Sequence, residues 1–187
     1  MFSLWFSEMT DGVLLFLQNS GLNAIAKDRD NPRLKAFRRS IYFPELLFEL
    51  GLSGHKEERF LLKIESQDQL VDYKPKMVNI KGCGFFFPMP VPPDAVLCAM
   101  KIAAMIDRQK GRDFYDVMFL LSQSSPSYDF LSQTCGISNM DSLKEEAIKV
   151  INSIDLEKKT KDFEHLLFNK EKSKQILRVR EFFEEIS

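Results

Sequence analysis

A cluster of charged side chains follows an apolar helical pattern in the stretch KIAAMIDRQKGRDFYDV. On a helix, Lys101 and Arg108 are seven residues apart and share one face. Asp113 and Asp116 are three residues apart and share a face of the next helix. A tight turn at Gly111 would bring the Lys101 ammonium close to one of these carboxylates. Such a pocket offers cations to an anionic phosphate, and carboxylates to a metal ion or a hydroxyl group.

Ordinary surface ion pairs are the competing explanation for these charges. A solvated helical hairpin often carries charged residues at its turn, and each exposed pair contributes only about 0–1 kcal/mol. On spacing alone, this explanation is the more common one.

A second candidate lies upstream, in the segment LLKIES. Alternation along a strand puts Lys63 and Glu65 on one face, opposite Leu62 and Ile64. Such a pair usually marks the water-facing side of a half-buried sheet. The functional alternative is a carboxylate placed on a strand to help bind a metal ion.

The segment KDRD contains a D-x-D pair, Asp28 and Asp30. Two carboxylates on one strand face can chelate Mg²⁺. Here the neighbouring RDNPR indicates a turn, and no glycine-rich phosphate-binding segment precedes the pair. We therefore do not interpret it as a magnesium site.

Composition limits the classes of function. The chain has 187 residues, 44% of them hydrophobic, which is enough for a core. Its 26 basic and 27 acidic residues give a net charge of -1, so phosphate recognition must be local. Three cysteines without a CxxC pair, and two distant histidines (His55 and His165), disfavour a zinc site or a disulfide framework. The run Val13 to Leu17 is too short to span a membrane, so we expect a soluble cytoplasmic protein.

The pattern of elements predicts strands first and helices after. A helix is expected over residues 8–20, starting near Thr10 or Asp11. Strands are expected in LKAFRRSIYF, ERFLLKIES and GFFFPMPVPPD, the last confined by its prolines to an edge strand or an irregular extended segment. The predicted fold is α+β, divided into an α/β portion over 1–93 and a helical portion over 94–187.

Capping and helix-breaking residues predict where the helices of the helical portion begin and end. Asp94 is the expected N-cap of a helix that runs to about Gln109, Gly111 breaks it, and Asp113 caps a second helix through Leu121. Further helices are expected from Ser127 onward, with caps or breaks near Asp141, Asp155 and Asn169.

The stretch PPDAVLCAMKIAAMIDRQKGRDFYDVMFLLS closely resembles the signature of AbiEii/AbiGii-type nucleotidyltransferases, toxins of certain bacterial toxin–antitoxin systems. That family carries a helix with a K…A…R pattern, followed by an RDxxD helix. The segment LLKIES is similar to the family's upstream KIE or KID strand. The resemblance covers roughly residues 1–125, and the rest is compatible with a variable helical tail. It implies a nucleotidyltransferase-like mixed sheet followed by a helical C-terminal half.

The resemblance also implies roles for the cations. Lys101 would contact the nucleotide phosphates. Arg108 and Arg112 would support it or bind the acceptor, and Lys63 would also face the phosphates.

The acids take the remaining roles by the same resemblance. Asp113 and Asp116 would orient the site, with Asp116 the better candidate for a direct role, and Glu65 would be a metal ligand. The implied reaction is Mg²⁺-dependent transfer of a nucleotide from an NTP to an RNA or protein acceptor, tRNA among them. A cognate antitoxin is the implied protein partner.

The start of the chain departs from the family pattern. Members begin with a glycine-rich element and a D-x-D pair, usually followed by an FS-like turn, and here Phe2-Ser3 already stands at residue 2. We therefore expect a truncated scaffold with weak magnesium binding, weak or no activity, and an exposed sheet edge that favours self-association. The alternatives are a non-catalytic nucleotide-binding or protein-interaction module, and a purely structural helical hairpin.

Overall fold

The computed structural model of the chain describes residues 2–27 and 36–186. They divide into two compact units, Met1–Leu70 and Val71–Ser187. The D-x-D pair of Asp28 and Asp30 lies outside the described residues. The predicted α+β class, with strands first and a helical C-terminal half, is confirmed.

The first unit is a three-stranded antiparallel sheet with one long helix. Its strands are in the order β1-β2-β3. The apolar face of the helix packs through Val13, Leu14 and Leu17 on a small core around Ile41 and Phe43. The elements are α1 (Phe2–Asn19), β1 (Ile25–Ala26), β2 (Phe37–Phe43), α2 (Leu46–Glu49) and β3 (Phe60–Ser66).

Helix α1 begins earlier than its sequence predicts. Thr10, expected near the start, lies inside the helix and is fully buried. Its hydroxyl donates to the Phe6 carbonyl, one turn back, at 2.9 Å. A threonine that bonds in this way is satisfied in mid-helix and does not need to serve as a cap.

The second unit opens with a two-stranded antiparallel hairpin, β4 (Lys76–Gly82) and β5 (Phe85–Val91). Cys83 and Gly84 form its turn with φ of 50° and 82°, as a two-residue turn matched to strand twist requires. Pro88 and Pro90 are two residues apart, so both missing N–H groups face the same edge of β5, away from β4. The strand expected in GFFFPMPVPPD is therefore confirmed as an edge strand. Strand β4 was not identified from the sequence.

Helices form the rest of the second unit. They surround a core whose largest fully buried side chains include Ile102, Met105, Phe114, Phe130 and Phe183. The helices are α3 (Asp94–Arg108), α4 (Gly111–Leu121), α5 (Tyr128–Cys135), α6 (Met140–Asn152), α7 (Leu156–Lys161) and α8 (Val179–Glu185), with 3₁₀ segments at Glu164–Leu166 and Lys170–Arg178. No helix among the described residues is long and apolar enough to cross a membrane.

Side-chain caps mark the starts of α5, α6, α7 and the longer 3₁₀ segment. Ser127 caps α5 and Asp155 caps α7, where they accept backbone N–H groups at 3.3 and 3.1 Å. Asn169 caps the longer 3₁₀ segment, as its sequence predicts. The expectation of a cap near Asp141 is off by two residues, because Asn139 accepts the Ser142 N–H at 2.9 Å.

The break between α3 and α4 differs from the prediction. The chain leaves the helix at Gln109, whose φ is 53°, and α4 already begins at Gly111. Asp113 is thus the third residue of α4 and not its N-cap. Gly111 is required for packing: a Cβ there would lie 1.9 Å from the Lys159 carbonyl oxygen. The glycine lets the start of α4 approach α7 at backbone distance.

Candidate functional site

Helices α3 and α4 fold back on each other and join their charged residues in two pairs. The Nζ atom of Lys101 lies 2.7 Å from Oδ2 of Asp116. Nearer the turn, Nη2 of Arg108 lies 2.5 Å from Oδ1 of Asp113. The predicted approach of Lys101 to the acids of α4 is confirmed, with Asp116 as the partner.

The Lys101–Asp116 pair is open to water. About a third of each side chain is exposed, at 36% and 35%. An ion pair in this setting contributes about 0–1 kcal/mol, so the ammonium can exchange Asp116 for another anion at little cost. The pair can therefore present one positive and one negative group to a ligand.

The second pair is built differently. The Asp113 side chain is fully buried, whereas 40% of the Arg108 side chain is exposed. Besides the guanidinium, Asp113 accepts the backbone N–H of Lys110 at 3.3 Å. A buried carboxylate with these two donors fixes the first turn of α4 and holds Arg108 in place. The exposed part of the Arg108 guanidinium is available to bind a ligand.

Arg112 and Lys110 are exposed and line a different surface. They border a cleft of about 400 Å³ together with Phe163, His165 and the start of α4. Among the described residues, no carboxylate pairs with either cation. His165, in the 3₁₀ segment Glu164–Leu166, lies on this cleft.

Strand β3 carries the other two candidates in the first unit. Lys63 and Glu65 alternate with Leu62 and Ile64, which pack towards the core, and this alternation is confirmed. Glu65 is ion-paired with Arg38, which lies directly across from it on β2. Arg38 was not identified as this partner from the sequence. Its position in the predicted strand LKAFRRSIYF is the signal that could have identified it. A site shared by Glu65 and the α3–α4 residues stays a prediction, because they belong to different units.

The acids of these elements are the candidate ligands for a magnesium ion. Within residues 2–27 and 36–186, no group of three or more His, Cys, Asp or Glu side chains can hold a metal ion. Asp113, Asp116 and Glu65 each bind a cationic side chain instead. Mg²⁺ is usually held by one or two carboxylates, with water and substrate phosphate oxygens as its other ligands. Each of these three carboxylates would first have to release its cationic partner, so the described side chains do not form a prepared magnesium site.

Cys98, three residues before Lys101, does not contribute a nucleophile. Its side chain is fully buried, and burial raises the pKa of the thiol to about 11. A thiol in this state is uncharged near neutral pH and inert. Burial also raises the pKa of the nearby Tyr128, with smaller contributions from Cys98 and Asp141.

Most of the chain matches a known protein family. The model of the AbiEii family, described as a nucleotidyl transferase toxin of type IV toxin–antitoxin systems, matches residues 21–180. No curated protein and no solved structure gives a significant match. The matched range includes β3 and the α3–α4 hairpin.

Proposed function

The chain belongs to the AbiEii family of nucleotidyl transferase toxins of type IV toxin–antitoxin systems, and on that premise we propose that it binds a nucleoside triphosphate at the α3–α4 hairpin. The nucleotide would be transferred to an RNA or protein acceptor. The exposed Lys101–Asp116 pair is the observation that supports this proposal.

The two cations of α3 suit different parts of a polyphosphate. Lys101 offers a point charge on a flexible stem, and Arg108 offers a planar fork that binds phosphate oxygens in pairs. They are two helical turns apart, about 10 Å along the axis. Asp113 holds the Arg108 fork in one orientation, which reduces the entropy lost when a phosphate binds.

The transfer step requires charge stabilisation more than covalent chemistry. An acceptor hydroxyl oxygen forms a bond to the α-phosphorus, while the bond from that phosphorus to pyrophosphate breaks. Lys101 and Arg108 would offset the negative charge on the phosphates. Asp116 loses its partner when the ammonium moves to a phosphate, and is then the carboxylate available to accept the hydroxyl proton.

We propose that transfer by the described residues is weak. Asp113 is buried against Arg108 and Glu65 is paired with Arg38, so Asp116 is the one of the three acids that nucleotide binding would release. Phosphate binding is therefore better provided for than metal binding. The same observation favours the second candidate function, a module that binds nucleotides without turning them over. Lys63 and Arg112 would add positive charge to phosphates or to the acceptor.

Calorimetry with ATP and GTP tests the binding proposal. We expect Lys101→Ala to lower the affinity at least tenfold, because the variant removes the ammonium that exchanges Asp116 for phosphate. The matched control is Lys149→Ala, whose ammonium also pairs with an acid, Glu146, at 3.3 Å on an exposed helix face. Equal affinity of Lys101→Ala and the unchanged chain would show that the hairpin does not bind the nucleotide.

Incubation with labelled NTPs, Mg²⁺ and a tRNA pool tests turnover. Weak incorporation that disappears in Lys101→Ala is the expected result. Robust incorporation would contradict the proposal of weak transfer, and binding without any incorporation would establish the non-catalytic module.

The family also supports proposals for location and partners. We propose that the protein acts in the cytoplasm and pairs with a cognate antitoxin. Self-association through an exposed sheet edge stays a prediction, which light scattering at several protein concentrations would test.

A further inference from the structure

The β4–β5 hairpin has an unusual composition. Residues 73–93 contain three lysines and no acidic residue. Lys76 is paired with Asp94, which follows this stretch, at 2.6 Å. Lys74 and Lys81 have no carboxylate partner among the described residues, so the hairpin has a local positive charge.

The same hairpin exposes three consecutive aromatic rings. The exposed fractions of Phe85, Phe86 and Phe87 are 70%, 68% and 46%. Met77 and Met89 are also exposed, at 63% and 40%. Exposed apolar side chains of this size, here on both faces of the hairpin, usually mark an interaction site.

The strand register places a cation beside a ring. Lys81 lies directly across from Phe86, so their side chains share a face of the hairpin. Phe85 and Phe87 share the opposite face, with Cα atoms about 7 Å apart. That separation allows successive bases of an extended strand to stack on the two rings.

We propose that the β4–β5 hairpin binds single-stranded RNA. An unpaired base would stack on Phe86, and Lys81, on the same face of the hairpin, would contact the phosphate backbone. Phe85 and Phe87 offer a second stacking surface on the opposite face. Stacking on aromatic rings next to positive charge is the common chemistry of single-strand recognition. That this RNA is the acceptor of nucleotide transfer rests on the proposed function, whereas the binding itself does not.

Charge and backbone both favour RNA over a protein segment as the occupant. The absence of acids from residues 73–93 suits a polyanion. A protein segment often binds by adding a strand to a sheet edge, and Pro88 and Pro90 remove N–H donors from the outer edge of β5, the strand that carries the rings. The aromatic rings and Lys81 project from the faces of the hairpin, so the prolines at its edge leave them available to bind RNA.

Fluorescence anisotropy with a labelled single-stranded RNA of twelve mixed nucleotides tests the proposal on the full chain. We expect Phe86→Ala to weaken binding at least fivefold, and Phe86→Tyr, which keeps the ring, to retain it. Lys81→Ala should weaken binding and reduce the slope of log affinity against log salt by about one. The control is Phe168→Ala, which removes a fully exposed ring elsewhere in the same unit.

Several results would overturn the proposal. They are equal binding of RNA by the hairpin variants and the unchanged chain, equal binding of duplex RNA, and equal binding of single-stranded DNA. A dimer that dissociates in Phe86→Ala, with no RNA bound, would assign the hairpin to self-association instead.

The same variants separate this inference from the proposed function. Calorimetry with ATP should give unchanged affinity in Phe86→Ala and Lys81→Ala. A chain that binds ATP through Lys101 but binds no RNA would refute the inference about the hairpin alone. A chain that binds RNA through the hairpin but binds no ATP would refute the proposed nucleotide site alone.

Discussion

Two acids on one helix face have different environments. Asp113 and Asp116 are three residues apart, yet Asp113 is fully buried and Asp116 is about one-third exposed. The buried acid binds a guanidinium and a backbone N–H, and the exposed acid binds one ammonium in contact with water. Only the second arrangement can change its partner easily, which is why we propose Asp116 for a direct role.

Loss of the guanidinium partner should destabilise the protein. In Arg108→Ala the buried Asp113 carboxylate keeps only the Lys110 N–H, so we expect a decrease of about 2–4 kcal/mol in the free energy of unfolding. Urea denaturation measures it. Arg112→Ala removes an exposed guanidinium from α4, the helix that carries Asp113, and should change stability by less than about 0.5 kcal/mol. A similar effect of both substitutions would contradict the assigned burial.

The burial of Cys98 should make the free energy of unfolding decrease at alkaline pH. Its thiol has a folded-state pKa of about 11 against an ordinary 9.0, so the folded protein keeps the proton that the unfolded chain loses. The contribution of this thiol to the free energy of unfolding is fully present below pH 9 and is lost as the pH rises towards 11. At pH 10 the loss is about 1.4 kcal/mol.

The comparison with Cys98→Ala isolates this contribution. The variant should lose stability less steeply between pH 9 and pH 11 when urea denaturation is repeated across that range. Parallel pH profiles for the two proteins would show that the thiol ionises normally.

At the scale of elements, the start of α4 should tolerate no side chain at Gly111. In Gly111→Ala the new Cβ would meet the Lys159 carbonyl oxygen at 1.9 Å, so α4 and α7 must move apart. We expect a loss of more than about 3 kcal/mol, measured by thermal or urea denaturation. Gly12→Ala is the matched control, because Gly12 is helical with nothing within 4 Å, and should stabilise α1 by about 0.5–1 kcal/mol.

Local sequence patterns predicted which helices and strands form better than they predicted the residues at which these elements begin and end. The alternation in ERFLLKIES predicted β3, and Ser127 and Asp155 marked helix starts through their own side chains. The start of α4 was misplaced because Gln109 adopts a positive φ that no glycine signals. The role of Gly111 was also hidden, because it depends on α7, about fifty residues later in the chain.

At the scale of the whole molecule, the two units differ in the size of their cores. Described residues of the first unit form a cluster with three fully enclosed members, Ala24, Ile41 and Phe43. The larger cluster lies entirely within residues 71–187, and includes Phe114, Phe130 and Phe183. Pairings inside one hairpin, such as Lys101 with Asp116, could be predicted from spacing. The Arg38–Glu65 pair, 27 residues apart, depends on strand register.

The second unit should fold by itself. A fragment of residues 71–187 keeps the whole larger core, so we expect helical circular dichroism and one cooperative thermal transition. A fragment of residues 1–70 should melt without a sharp transition, because its enclosed core is small. A non-cooperative melt of the 71–187 fragment would show that its stability depends on the first unit.

The turn of the hairpin has a practical consequence for spectroscopy. Cys83 is the exposed member of the three cysteines, while Cys98 is buried and Cys135 is partly covered. A maleimide dye should therefore label position 83 first, beside the rings of β5. The emission of that dye would report any molecule that docks there, without a mutation in the chain.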